Sequence, residues 1–157
     1  MAVEIREAEE EDAELLAEDF WLPLAREMED YHEVNELDDD AGETAVDGFQ
    51  DRLEDGKYRF FFLELDGEEV GYVSLERGER ETREHGKCIA IVGIFVKEGF
   101  RGEGYGTRLM EKAREYAEEL DADYIVVEAE WDNSGARKFY SEKDFDEKKV
   151  RYVKMLE

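Results

Sequence analysis

The segment from Ile89 to Leu120 constrains the fold more than any other part of the chain. It begins with an uncharged run rich in Ile, Val and Phe, Ile89 to Val96, which is typical of a strand buried on both faces. A glycine-rich stretch from Arg101 to Gly106 comes next, and after Thr107 the apolar residues recur at the spacing of one helical stripe. The segment therefore predicts a strand, a loop and a helix in close succession.

The glycine-rich loop predicts a phosphate-binding site. Glycines leave the backbone N–H groups at a helix N-terminus accessible, and the positive end of the helix dipole attracts an anion there. Two nucleotide loops are excluded by spacing. The pattern G-x-G-x-x-G has Thr107 where its third glycine belongs, and a Walker loop needs a lysine directly after Gly106. A glycine-rich turn that binds no ligand stays open as an alternative.

What remains is the pattern Arg-x-x-Gly-x-Gly after a strand ending in Ile94, Phe95 and Val96. This pattern resembles the acetyl-CoA signature of the GCN5-related N-acetyltransferase (GNAT) family. The resemblance continues through a second apolar strand, Tyr124 to Trp131, which contains Glu128. Asn133 follows that strand and predicts the cap of a helix that ends in Phe139 and Tyr140. The resemblance therefore rests on two motifs in the order usual for the family.

The resemblance implies an α/β (α+β) GNAT fold, with a mixed central sheet of six to seven strands and helices on both faces. Residues 1–157 would form a single N-acetyltransferase domain. Such an enzyme moves the acetyl group of acetyl-CoA to a primary amine, either a protein N-terminus or a small amine, without a metal. The implied cofactor-binding residues are Ile94, Phe95, Val96, Arg101, Gly102, Glu103, Gly104, Tyr105, Gly106, Thr107 and Asn133.

Two residues are the expected catalytic pair. Glu128 lies among apolar strand residues, where burial would raise its affinity for a proton and make it a useful base for the attacking amine. Tyr140 would give a proton to the departing CoA thiolate. A carboxylate pointing out of the sheet's end and a packing tyrosine are the respective alternatives. Asp144 and Phe145 replace the Gly-Phe usual in the family, and Asp tolerates the left-handed conformation that this turn needs.

The rest of the chain predicts the order βααβββαβαβ. Its additional strands are expected at Val3 to Arg6, on both sides of the Asp66-Gly67 turn, and at Val150 to Leu156. Helices are expected at Ala13 to Tyr31, where Pro23 would kink or split the helix, and at Ala45 to Leu53.

The net charge of −25 is unevenly distributed. Residues 1–55 contain 22 acidic and 3 basic side chains, whereas residues 56–157 contain 24 and 18. This balance excludes a nucleic-acid partner, because phosphate backbones require basic surfaces. It is typical of a salt-adapted (halophilic) cytoplasm, where salt screens the repulsion between carboxylates. A second, compatible hypothesis is that some of these carboxylates select a cationic amine substrate.

Several further functions are disfavoured by the sequence. No apolar run of about 18 residues predicts a membrane span, and the N-terminus lacks a secretory signal pattern, so we expect a cytoplasmic protein. The single cysteine, Cys88, excludes an intramolecular disulfide and a cysteine-based metal cluster.

The sequence does not decide the oligomeric state, and a homodimer is one of the alternatives. An acidic module that binds CoA or a partner without turnover is the alternative function.

Overall fold

The computed structural model describes residues 2–157. Five strands form one sheet: β1 (Val3–Glu7), β2 (Tyr58–Leu65), β3 (Glu68–Glu79), β4 (Lys87–Val96) and β5 (Tyr124–Val127). The α-helices are α1 (Ala13–Leu15), α2 (Leu22–Glu29), α3 (Ala41–Glu54), α4 (Tyr105–Glu119) and α5 (Ser134–Glu142). The mixed α/β class is confirmed, with five strands in the described residues instead of the six to seven expected.

The sheet has the order β1-β2-β3-β4-β5. The first four strands pair antiparallel, and β5 pairs parallel to β4 after the crossover through α4. The predicted hairpin between β2 and β3 is confirmed. Its turn residues Asp66 and Gly67 have φ values of 51° and 87°, the left-handed geometry that suits a tight hairpin.

The first predicted helix is divided at Pro23, as its position indicated. A π-helical turn, Leu16–Trp21, lies between α1 and α2, and the N–H of Leu22 donates to the carbonyl of Ala17 five residues earlier. Proline has no N–H to donate, and its ring crowds the carbonyl four residues before it. The wider turn absorbs this defect without ending the helical segment.

Helices cover both faces of the sheet and create two apolar cores. On one face α4 packs its buried stripe, including Leu109, Ala113 and Tyr116, against strand residues such as Ile89 and Ile91. On the other face α1, the π turn and α3 pack Leu16, Phe20 and Phe49 against Phe60, Phe62 and Tyr72. Residues that alternate along β2 and β3 therefore serve different cores.

The prediction of a last strand at Val150 to Leu156 is wrong. These residues form no regular structure, and Tyr152 is 91% exposed. No buried face is available to fix the register of the segment against a neighbouring strand. Among the helices of residues 2–157, none combines the length and the apolar character needed to cross a bilayer.

Candidate functional site

Strands β4 and β5 separate partway along β4. Their pairing ends at Ile91 and Val127. On the other side of β4, Ser74 pairs with Gly93 and Leu75 with Ile91, so Val92 is an extra, bulged residue. A bulge bends its strand and interrupts the ladder. Residues 92–96 of β4 therefore present an edge without a β5 partner, and this edge leads directly to the glycine-rich loop.

The glycine-rich loop forms the N-terminus of α4. Gly102 and Gly104 have φ values of 83° and 85°, which favour glycine, and no side chain caps the helix. Within residues 2–157, the N–H groups of residues 102–107 donate to no protein group. These donors share the helix end where the dipole is positive, so the loop can hold an anionic group.

Arg101 orders the approach to this loop. Its Nε donates to the carbonyl of Val96 at 2.7 Å, and its Nη2 forms an ion pair with Glu27 of α2 at 2.7 Å. The guanidinium also lies 5.0 Å from the ring centroid of Phe95. These contacts join the end of β4 to α2, so Arg101 orders the start of the loop.

Glu128 lies outside the strand that was expected to contain it. Strand β5 ends at Val127, because β4 bends away at Val92 and leaves no partner for the next residues. The Glu128 side chain is 79% exposed and lies 3.6 Å from Arg151 of the C-terminal segment. The expected burial of Glu128 is therefore wrong. Its position, one residue beyond the last β4–β5 pair, still places it at the separation of the strands.

Tyr140 projects from α5 into an aromatic cluster. Its ring lies 5.4 Å from that of Phe139 and 5.7 Å from that of Phe145. Burial raises the pKa of Tyr140, so its hydroxyl holds its proton at neutral pH.

The two turns that bound α5 have the expected conformations. Asn133 caps the helix, since its side-chain oxygen accepts from the N–H of Ala136 at 3.1 Å. Asp144, after the helix, has a φ of 66°, the left-handed geometry expected at this turn.

A cavity of about 340 Å³ lies on the α1–α3 face of the sheet, beside the separation of the strands. Val92 lines it, so the cavity reaches the point where β4 leaves β5. Its apolar wall consists of Trp21, Leu24, Ala25 and Met28 from the π turn and α2, with Phe49 from α3.

The polar lining of the cavity comes from Asn35, Arg52, Tyr72 and Ser74. Tyr72 and Ser74 are neighbours on one face of β3 and are only 1% and 5% exposed. No hydrogen bond within residues 2–157 uses either hydroxyl, and neither is sealed away from the cavity. None of the described residues that line the cavity carries a carboxylate, so the acidity of the N-terminal helices does not extend to its wall.

Four polar residues in or beside the cavity were not predicted from the sequence, namely Asn35, Arg52, Ser74 and Glu130. The Asn35 amide nitrogen donates to the Met28 carbonyl at 2.9 Å and to Glu130 at 2.5 Å, which joins the segment after β5 to α2. Arg52 offered one signal, since it is among only three basic residues in the first 55. Ser74 and Asn35 offered none, because their roles depend on contacts between distant segments.

Comparisons with known proteins agree with this geometry. Residues 17–145 match the model of the Acetyltransferase (GNAT) family. An uncharacterized N-acetyltransferase from Archaeoglobus fulgidus is 33% identical over 145 residues, which cover 90% of this chain and 92% of that protein.

Two further similarities are more limited. An uncharacterized N-acetyltransferase from Methanocaldococcus jannaschii is 37% identical over 99 residues, and the match spans 63% of this chain but only 42% of that protein. A predicted acetyltransferase from Clostridium acetobutylicum, crystallised with acetyl-CoA, has a TM-score of 0.74. It is 16% identical, and the alignment covers 99% of this chain and 96% of that one, which shows a shared fold. The family match and the Archaeoglobus relative together show that the chain belongs to the acetyltransferase (GNAT) family, a family of acyltransferases.

Proposed function

We propose that this domain moves the acetyl group of acetyl-CoA to a primary amine by direct attack of the amine on the thioester. The observation that carries the proposal is the continuity between the unpaired edge of β4, residues 92–96, and the free N–H groups of residues 102–107. An edge that can pair with an extended chain leads into a loop that can hold an anion. Acetyl-CoA has both features, an extended pantetheine arm and a pyrophosphate.

The residues present fit such a co-substrate. The N–H groups of residues 102–107 would hold the pyrophosphate, and the backbone of Phe95 and Val96 would pair with the pantetheine amides as an added strand would. An N–H of β4 near the thioester would stabilise negative charge on its carbonyl oxygen. Asn133 lies in the turn before α5 and would contact CoA from the β5 side.

Glu128 and Tyr140 would carry the proton transfers. Glu128 is solvated, so it would accept the proton of the amine through water at the separation of β4 and β5. Glu130 is a second carboxylate on the same segment, held by Asn35 beside the cavity. Tyr140 keeps its proton at neutral pH and would give it to the departing thiolate. The aromatic rings around Tyr140 would exclude water from that proton.

Calorimetric titration with CoA tests the cofactor site. In Gly104→Asp, a side chain and a negative charge would stand in the phosphate loop, and we expect binding to be lost. Gly67→Asp is the matched control, because Gly67 has nearly the same φ of 87° and equally open surroundings but lies in the β2–β3 turn. Unchanged CoA affinity in Gly104→Asp would remove the site from the loop.

The alternative function, a CoA-binding module without turnover, makes a different prediction. Such a module would bind CoA in the same titration but release no free thiol when acetyl-CoA and amines are supplied together. Burial of Tyr140 keeps its hydroxyl protonated at neutral pH, which would suit the acid of an enzyme and would have no such role in a binding module.

A further inference from the structure

The charge in the lining of the cavity beside Val92 is opposite in sign to the net charge of the protein. The protein has a net charge of −25, yet Arg52 of α3 is the one charged side chain among the described residues that line the cavity. Arg52 forms no ion pair within residues 2–157; its guanidinium instead lies 5.6 Å from the ring centroid of Phe49 and 5.8 Å from that of Tyr58. Its charge is therefore free for a group that enters the cavity.

The hydroxyls of two largely buried residues accompany this charge. Tyr72 and Ser74 extend from the same face of β3 and line the cavity without a hydrogen-bond partner in the described protein. Burial raises the pKa of Tyr72, and the Arg52 guanidinium partly opposes that rise, so the two groups share one electrostatic environment. No fully buried polar side-chain atom of the described residues lacks a partner, so these two hydroxyls are accessible from the cavity and can donate to a group that enters it.

The remaining wall is apolar. Trp21, Leu24, Met28 and Phe49 offer aromatic and aliphatic surface, and no carboxylate is among the described lining residues to bind a cationic substituent. Small-molecule sites commonly combine such a wall with a few polar groups that fix orientation. The Asn35 amide nitrogen already donates to the Met28 carbonyl and to Glu130. The other polar groups are two hydroxyl donors and a cation, a set that complements a carboxylate.

We propose that this cavity selects acceptor amines that carry a carboxylate on an apolar or aromatic body, with the carboxylate bound by Arg52 and the hydroxyls of Tyr72 and Ser74. The proposal rests on the proposed acetyl transfer, since it identifies the substrate class of the same site. The amine would then point toward Val92, where β4 and β5 separate. The negative surface still repels such a substrate at long range, so salt should increase its use.

Three amines with the same nucleophile test this selectivity: 4-(2-aminoethyl)benzoate, its neutral benzamide and a para-trimethylammonium analogue. The assays are run at 1 M potassium chloride, where the Debye length is about 3 Å and the long-range field of the protein is screened. We expect kcat/KM for the benzoate to exceed that for the benzamide about tenfold, as charge-assisted hydrogen bonds do in partly buried sites. The trimethylammonium compound should be the poorest substrate.

The variant Arg52→Gln should reduce the benzoate-to-benzamide ratio to about one. Arg114→Gln is the matched control, because it makes the same change in net charge on α4, where Arg114 pairs with Glu118 away from the cavity. It should leave the ratio unchanged. Equal use of benzoate and benzamide by the native protein, or an unchanged ratio in Arg52→Gln, would overturn the proposal.

A binding measurement separates this inference from the proposed function. Calorimetry with 4-ethylbenzoate and 4-ethylbenzamide, which lack the amine, should show tighter binding of the benzoate and loss of that preference in Arg52→Gln. If no amine is acetylated but this preference is found, the acetyl transfer is contradicted and the carboxylate site stands. If acetylation occurs and the preference is absent, the carboxylate site alone is wrong.

Discussion

The hydroxyl of Tyr72 lies 2.6 Å from the position that a β-carbon on Gly93 would occupy. Tyr72 is on β3 and Gly93 is on β4, one residue beyond the bulge at Val92. Glycine at position 93 thus allows the tyrosine hydroxyl to lie beside β4 at the edge of the cavity. Tyr72 and Gly93 therefore lie together at the point where β4 separates from β5.

This contact predicts strong coupling between the two positions. Gly93→Ala should lower the free energy of unfolding by about 1 to 3 kcal/mol, because the new methyl group overlaps the Tyr72 oxygen. Tyr72→Phe alone should cost less than about 1 kcal/mol, since its hydroxyl faces the cavity. In the double variant of Gly93→Ala and Tyr72→Phe, the atom nearest to the new methyl group is the ring carbon Cζ of residue 72, at 3.4 Å. Most of the lost free energy of unfolding should therefore be recovered.

Urea unfolding of the four proteins measures this coupling. Gly48→Ala in α3 is the control, because a β-carbon there would meet no atom within 4 Å. It should raise stability by about 0.5 to 1 kcal/mol, as alanine does within helices. Additive losses in the double variant would show that the Tyr72 hydroxyl is not what requires glycine.

Arg6 is predicted to stabilise the first strand through three carboxylates. Its guanidinium contacts Glu64 at 2.7 Å and Asp12 and Glu69 at 2.9 Å each. Arg6→Met should lower the free energy of unfolding by about 1 to 3 kcal/mol, because three partly buried negative charges then lack a cation. Arg59→Met, which breaks a more exposed pair with Glu7, should cost less than about 1 kcal/mol.

The Arg6 contribution should depend on pH. Burial alone would raise the pKa of Asp12, but hydrogen bonds from Arg6 and from the Glu9 N–H outweigh burial and lower it. A carboxyl group whose pKa is lower in the folded state stabilises the protein above its unfolded pKa, which is about 3.9 for Asp. The difference in melting temperature between native protein and Arg6→Met should therefore be constant near pH 7 and shrink below about pH 4. A difference that persists at pH 2 would contradict this account.

Tyr140→Phe should slow acetyl transfer by about 10- to 10⁴-fold with little change in CoA affinity, because it removes only the proton donor. Tyr152→Phe, in the exposed C-terminal segment, is the control and should leave the rate unchanged. The pH dependence of kcat/KM in Glu128→Gln and in Glu130→Gln identifies the base. The base is the residue whose replacement removes the dependence of kcat/KM on an ionised carboxylate. Wild-type turnover in Tyr140→Phe would contradict the acid assignment.

Salt should stabilise the protein. With 22 acidic and 3 basic side chains in residues 1–55, carboxylates repel one another over a Debye length of about 30 Å at 0.01 M salt. Melting temperature should rise between 0.1 and 3 M potassium chloride, and less steeply when the exposed residues Asp38, Asp39 and Asp40 are changed together to Asn. A melting temperature that does not change with salt would contradict the salt-adaptation hypothesis.

Local sequence patterns were sufficient to predict the elements that carry the CoA loop. The apolar run of β4, the glycines at positions 102 and 104 and the stripe of α4 are each decided by neighbours in sequence. The family resemblance supplied the order of the remaining elements. The π turn before Pro23 was anticipated as a kink, since proline disrupts a helix wherever it lies in the interior.

The parts that could not be predicted depend on long-range contacts. Glu128 was expected to be buried because its neighbours in sequence are apolar, but its exposure is decided by the bulge in β4 at Val92, on another strand. The cavity combines side chains from α2, α3, β3 and β4, so no single segment indicated its polarity. The alternating pattern of residues 150–156 suggested a strand, yet strand formation also requires a partner, which the sequence does not specify.

The most direct test of the proposed function is a count of both products in one reaction. Purified protein is mixed with acetyl-CoA and 4-(2-aminoethyl)benzoate, and free CoA thiol and the acetylated amine are measured in the same samples. We expect one acetylated amine for each thiol released, at a rate that depends on Tyr140 and is lost in Gly104→Asp. CoA binding without formation of acetylated amine, across this and the other two probes, would contradict the proposed acetyl transfer.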